Sequence, residues 1–159
     1  MSTMRGFRRP FSVADLTLVY RGQVESARRG VMLLPSREVL IHDELTGLKP
    51  GSRVRWGMIT TATPDNGLGK NALTLSQSAE RLTLTVRSPM EVHWEDINTA
   101  KPRHEWDSPN PGTRMVAFEA SAPKSGKLTL AVIATPGTCQ TPVKDQLPIA
   151  PLETWKESR

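Results

Sequence analysis

The chain of 159 residues contains a single cysteine, Cys139. One cysteine excludes an intrachain disulfide and a cysteine zinc cluster, and its neighbours Thr138 and Gln140 give no signature of an activated thiol. Aromatic residues are scarce, at 5% with Tyr20 the only tyrosine. Nucleic-acid binding needs stacking rings interleaved with basic residues, and only Phe7 and Phe11 lie near the N-terminal arginines, so no nucleic-acid partner is expected. No apolar run approaches the roughly 20 residues of a membrane-crossing helix, so no membrane partner is expected either. The GxSxG nucleophile motif and a phosphate-binding glycine loop are both absent; the run Gly67, Leu68, Gly69, Lys70 lacks the second half of such a loop and reads as a turn. Residues 1–11 have the charge of a signal peptide's first region without an apolar stretch behind it, which predicts a chain with no export signal of its own. A 3.6-residue apolar stripe is wanting too, which argues against a helical bundle.

Turn formers, by contrast, are plentiful. The 13 prolines and 11 glycines make up about 15% of the chain against an average near 12%, which favours many short elements joined by turns. The length suits one domain, divided into a basic N-terminal arm (1–12), a β-domain (13–135) and a proline-rich strap (136–159). Period-two alternation dominates the middle part. In 52–61, Val54, Trp56 and Met58 fall on one side and Arg53, Arg55 and Gly57 on the other. Leu82, Leu84 and Val86 alternate with polar residues in the same way, and with Leu73 and Leu75 across the polar link 76–80 they predict a hairpin. The apolar runs 31–34 and 39–41 around Pro35, Ser36 and Arg37 predict a second hairpin lying deeper in the core. Further strands are expected at 16–20, 90–95, 115–120 and 128–134, the last two joined by a turn at 122–126. The segment 101–112, with three prolines and Gly112, is expected to be a long loop. Together these predict an all-β fold, an antiparallel β-sandwich of about 8–10 strands.

The net charge of +5 is unevenly placed. Seven arginines face Asp15 and Glu25 within 1–37, whereas the remainder balances. Such a cluster suits an anionic polymer, and equally a solvated arm. Glu91, His93 and Glu95 would share one face if 90–95 were a strand, about 7 Å apart, a spacing that a metal ion bridges with a further ligand. A plain polar face explains the same pattern, and no metal is expected. His42 beside Asp43 has the composition of an oriented base, or of a hydrogen-bonded structural histidine. His104, with Arg103, Glu105 and Trp106, could hold a sugar or an anion, or Trp106 could fold back as a lid. Asp43 and Glu44 are adjacent and would face opposite sides of a strand, so they cannot act as paired carboxylates. No cofactor is called for.

Ala14-Asp15-Leu16-Thr17 with Tyr20, Arg28-Arg29-Gly30-Val31 with Val39-Leu40-Ile41-His42-Asp43-Glu44-Leu45, Val54-Arg55-Trp56-Gly57-Met58-Ile59-Thr60-Thr61-Ala62, and Pro109-Asn110-Pro111-Gly112-Thr113-Arg114 with Phe118 follow one another in a known order. Over about residues 13–135 the chain resembles the C-terminal β-domain of heparinase II/III-like polysaccharide lyases. Those enzymes join a helical toroid to β-sandwich layers and cleave acidic glycans by β-elimination, with tyrosine and histidine catalysts largely on the toroid. The chain has no room for a toroid, and no catalytic residue is carried over. The resemblance implies a non-catalytic module that supports or contacts an acidic polysaccharide in the periplasm or outside the cell, with a helical lyase domain on another chain as a further partner. The residues expected to make contact are Arg28, Arg29, Arg53, Arg55, Trp94, His104 and Trp106, the arginines through bidentate bonds to carboxylate or sulfate. Two other readings stand beside it. A small lyase would need His42 or His93 within reach of Tyr20 in one cleft, and a purely structural piece would expose a large apolar face.

Overall fold

The computed structural model describes residues 10–65, 70–89, 91–101, 105, 108–137 and 149–155. The expected turn at 67–70 falls outside them except for Lys70, and much of the 101–112 loop does so too.

Among the described residues ten strands form two sheets, as the alternation predicts. They are β1 (Phe11–Asp15), β2 (Ser26–Leu33), β3 (Val39–Thr46), β4 (Arg53–Thr60), β5 (Thr63–Asp65), β6 (Ala72–Gln77), β7 (Glu80–Ser88), β8 (Glu95–Asn98), β9 (Arg114–Ser121) and β10 (Leu128–Pro136). The larger sheet has the order β1-β2-β3-β10-β7-β6-β5 and the smaller β4-β9-β8. All named pairs are antiparallel. The β6–β7 hairpin turns through Ser78, in left-handed backbone at φ 55°. The turn at 122–126 does not close a hairpin but carries the chain from β9 in one sheet to β10 in the other. Gly126 (φ 66°) is needed there, since a Cβ would stand 2.8 Å from the Leu48 carbonyl oxygen.

The core lies between the sheets. Trp56, Trp94 and Phe118 form an aromatic cluster in which Trp56 stacks on Phe118 at 5.6 Å and Trp94 meets both rings edge-on, at 5.9 and 5.2 Å. Leu73, Leu75, Leu84, Val86, Leu130 and Val132 of the larger sheet close over it. Burial of this size and shape is the dominant favourable contribution to a fold of this length.

Three expectations are corrected. Residues 16–20 form a turn, because the Asp15 carboxylate accepts the Thr17 N–H at 2.9 Å and the Leu16 carbonyl accepts the Val19 N–H at 3.0 Å; the strand lies upstream, as β1. Of 90–95 only Glu95 belongs to a strand, for Glu91 has φ 64°. Glu91, His93 and Glu95 therefore share no strand face, and among the described residues no group of three His, Cys, Asp or Glu side chains is placed to hold a metal. The β2–β3 hairpin exists but is not deep in the core, since Val31 and Leu33 are 40% and 45% exposed.

Candidate functional site

Arg29 and Asp43 face each other across β2 and β3, so their side chains emerge on the same side of the sheet. Asp43 in turn pairs with Leu130 of β10, a core residue, which fixes this as the inner side. Arg29 donates from Nε to Oδ1 at 2.6 Å and from Nη2 to Oδ2 at 2.9 Å, a two-pronged bond. The bonds to Asp43 raise the Arg29 pKa above the ordinary guanidinium value and keep it charged. The Asp43 side chain is nearly buried while Arg29 is 40% exposed, so the guanidinium has one end held and the other toward solvent.

A second cationic bank belongs to β4. Arg53 and Arg55 point outward from the smaller sheet and both reach Glu119 of β9, at 3.1 and 2.6 Å. Two guanidiniums against one carboxylate leave positive charge over, and Lys49 adds to it.

Between β2–β3 and β4 runs a cleft of about 420 Å³. Ala27, Leu45, Leu48, Val54 and Trp56 give it apolar walls, and Lys49, Arg53 and Arg55 line it with charge. The turn after β1 brings Tyr20 to the same cleft, with the Gln23 N–H bonded to the Tyr20 carbonyl at 3.0 Å and Gly22 in left-handed backbone at φ 81°. Apolar walls with a few convergent charged groups are the usual composition of a ligand site.

The four arginines expected from the sequence all contribute to this cleft, though unequally. Arg28 immediately precedes Arg29 in β2 and so turns its side chain to the opposite side, next to its β1 partner Asp15. Trp94 is corrected: at 3% exposure it is a member of the aromatic core and cannot touch a ligand, because its backbone at 92–94 alternates with Val92 inward. His104 and Trp106 lie outside the described residues. Lys49 was not singled out by sequence, having no motif around it beyond a Pro50-Gly51 turn. Asp43 had a readable signal, since it and Arg29 are equidistant from Ser36 at the hairpin's centre.

His42 is 1% exposed on the other side of the larger sheet, so it cannot meet Tyr20, and His93 does not line the cleft either. Adjacent positions on a strand also separate His42 from the Asp43 carboxylate, so that pair is no oriented base. Its cover is the short 3₁₀ turn Leu152–Thr154 with Trp155, whose ring is centred 5.9 Å away. Glu44 accepts the Leu152 N–H at 2.8 Å and lies 3.8 Å from His42 Nε2. Gly30 makes room for this turn, because a Cβ there would come 2.3 Å from Leu152 Cδ2 and 2.7 Å from the Trp155 ring.

Neither His42 ring nitrogen has a hydrogen-bond partner among the described residues. Burial lowers its pKa, against the smaller opposing pull of Glu44 and Asp43. The folded state then binds a proton less readily than the unfolded chain. This contribution to stability is full above the ordinary histidine pKa of about 6.5 and is lost as pH falls from there toward the lower folded value. Thermal melting across that window should show the decline in the wild type and a flatter profile in His42→Leu; equal slopes would refute it. Comparison with protein-family models and with curated protein sequences gave no match to the chain.

Proposed function

We propose that the chain is a non-catalytic β-sandwich module, similar to the C-terminal domain of heparinase II/III-like lyases, that contacts an acidic polysaccharide through the cleft between β2–β3 and β4. The observation that carries this reading is the convergence of Arg29, Lys49, Arg53 and Arg55 with the Tyr20 ring on one apolar-walled cleft. Guanidiniums suit the carboxylates or sulfates of such a glycan, while a phenol ring suits the apolar face of a sugar. A lyase reading is less well supported, because the histidines that would partner Tyr20 stand elsewhere. The Leu18 and Val19 side chains, 76% and 71% exposed beside the cleft, favour a second reading in which this edge packs on a helical lyase domain of another chain.

The test is binding of the purified chain to acidic and neutral polysaccharides at low and physiological salt, with ultraviolet absorbance followed for an unsaturated uronate product. Saturable, salt-sensitive binding to the acidic glycans alone is expected, without product. The R53A/R55A double variant should weaken it about tenfold, equivalent to about 1.4 kcal/mol. Product formation would establish a compact lyase instead, and binding to no polysaccharide would leave the structural reading.

A further inference from the structure

The outer side of the larger sheet holds a buried titratable group that the cleft does not use. His42 stands between Gly30 of β2 and Ala131 of β10, so its neighbours across the ladders offer no polar side-chain atom. What lies over the ring among the described residues is Leu152–Trp155. Leu152 fits against Gly30 at 1% exposure, and the Trp155 ring meets Phe11 of β1 edge-on at 5.7 Å. The hydrogen bonds of this segment are nearly all its own. The Thr154 N–H and Oγ1 both donate to the Pro151 carbonyl, the Trp155 N–H to the Leu152 carbonyl, and Trp155 Nε1 to the Ala150 carbonyl at 3.1 Å. Among the described residues a single hydrogen bond ties it to the sheet, from the Leu152 N–H to Glu44.

We infer that Leu152–Trp155 is a pH-operated strap: protonation of His42 lifts it as a preformed unit off the outer side of β2 and β3 while both sheets stay folded. The charged ring needs acceptors that the closed arrangement lacks. Neither ring nitrogen has a hydrogen-bond partner among the described residues, and Glu44 Oε1 lies 3.8 Å from Nε2 while accepting the Leu152 N–H at 2.8 Å. Closing that gap would move the oxygen that holds the strap. The Trp155 ring, tilted 50° at 5.9 Å, supplies no acceptor, since an indole nitrogen only donates. On both flanks His42 is enclosed by strand ladders, so water reaches it with least disruption from the strap's side. The other charges about the ring are few. Arg28 lies on the same side of β2 opposite Glu44, Asp15 stands beyond it on β1, Glu153 belongs to the strap, and Asp43 acts through the sheet from its inner side. Thr129 and Ile133, the β10 neighbours on the outer side, carry none. Under the lifted strap the ring would titrate near the ordinary 6.5, above its closed value, so the open fraction should rise about tenfold per pH unit below that point until the closed value is reached. The cleft lies on the opposite side of the sheet, and the proposal does not rest on the glycan reading.

The test is fluorine NMR of the full chain with its four tryptophans fluorinated, the Trp155 line being assigned by Trp155→Phe. Between about pH 7.5 and about pH 4.5 that line is expected to move toward the position of solvent-exposed fluorotryptophan while the lines of Trp56 and Trp94 stay in place. His42→Leu and His42→Gln, in which position 42 no longer titrates, should hold it still. Glu44→Gln keeps an oxygen for the Leu152 N–H without a titrating carboxyl, and should keep the movement. In Trp155→Ala the imidazole proton signals of His42 should titrate near the ordinary value of about 6.5, above the wild type. Equal movement of the Trp155 line in both His42 variants would make Asp15, Glu44 or Glu153 the trigger and overturn the proposal. Lines of Trp56 and Trp94 that move together with it would mean unfolding of the whole domain, which also overturns it. So would a Trp155 line that stays in place throughout, or a His42 that titrates in Trp155→Ala as it does in the wild type.

Discussion

Phe118→Ala should cost about 3–5 kcal/mol of stability, the range for emptying a large aromatic site in a core. Phe118 is fully buried and sits at the centre of the aromatic cluster, stacked on Trp56 and edge-on to Trp94. Both indole N–H groups are without hydrogen-bond partners among the described residues, so these rings hold their places by packing alone. Removing the middle ring takes a stacking surface from one tryptophan and an edge contact from the other, and two rings this large cannot close the gap without moving β4 against the larger sheet. The loss is a large part of the 5–15 kcal/mol typical of a domain. Urea unfolding followed by tryptophan fluorescence measures it, with the m-value unchanged if the unfolded state is unaltered. A loss below about 1 kcal/mol would mean that the cluster repacks freely.

The second large effect concerns Arg29. Arg29→Met removes the fork from a carboxylate whose side chain is only 9% exposed. Asp43 would remain buried and unpaired, which costs about 1–3 kcal/mol. A fully enclosed pair would lose more, but the 40% exposure of Arg29 means that water already screens part of the attraction. The double variant R29M/D43L should recover most of the stability, because an apolar pair beside Ala27, Leu45 and Leu130 leaves nothing charged in the wall. If Arg29→Met is neutral in the same unfolding assay, the pair behaves as a surface contact and the cleft wall is wetter than its burial implies. In either case glycan binding should fall in Arg29→Met, since one charge has gone from the cleft.

Much of the frame was legible along the chain because alternation is a consequence of strand geometry. Val54, Trp56 and Met58 fall inward and Arg53 and Arg55 outward for no reason other than the pleat, and the Leu73 to Val86 hairpin follows in the same manner. The same rule misled at 16–20, where the alternation of Leu16, Thr17 and Leu18 imitates a strand. What decides that segment is one carboxylate, Asp15, capturing a main-chain N–H two residues on. It failed again at Glu91, whose left-handed backbone no apolar pattern records. The arginines of the cleft were identifiable as cations, but their convergence was not, because β2 and β4 belong to different sheets and nothing local states how the sheets overlap. Trp94 shows the reverse difficulty: a tryptophan among charged neighbours looks like a surface ring until the positions of Trp56 and Phe118 are known.

The place of β10 determines when this domain can exist at all. It runs between β3 and β7, so the last of the described strands holds together two parts of the larger sheet that were made long before it. Before it arrives, β1–β3 on one flank and β5–β7 on the other have no common edge, and Leu130 and Val132 are absent from the wall over the aromatic cluster. Pairings this distant along the chain carry a heavy loop-closure cost and form slowly. During synthesis the domain therefore passes through a period of separate hairpins with exposed strand edges, and the wall over the aromatic cluster is completed only once β10 has been made.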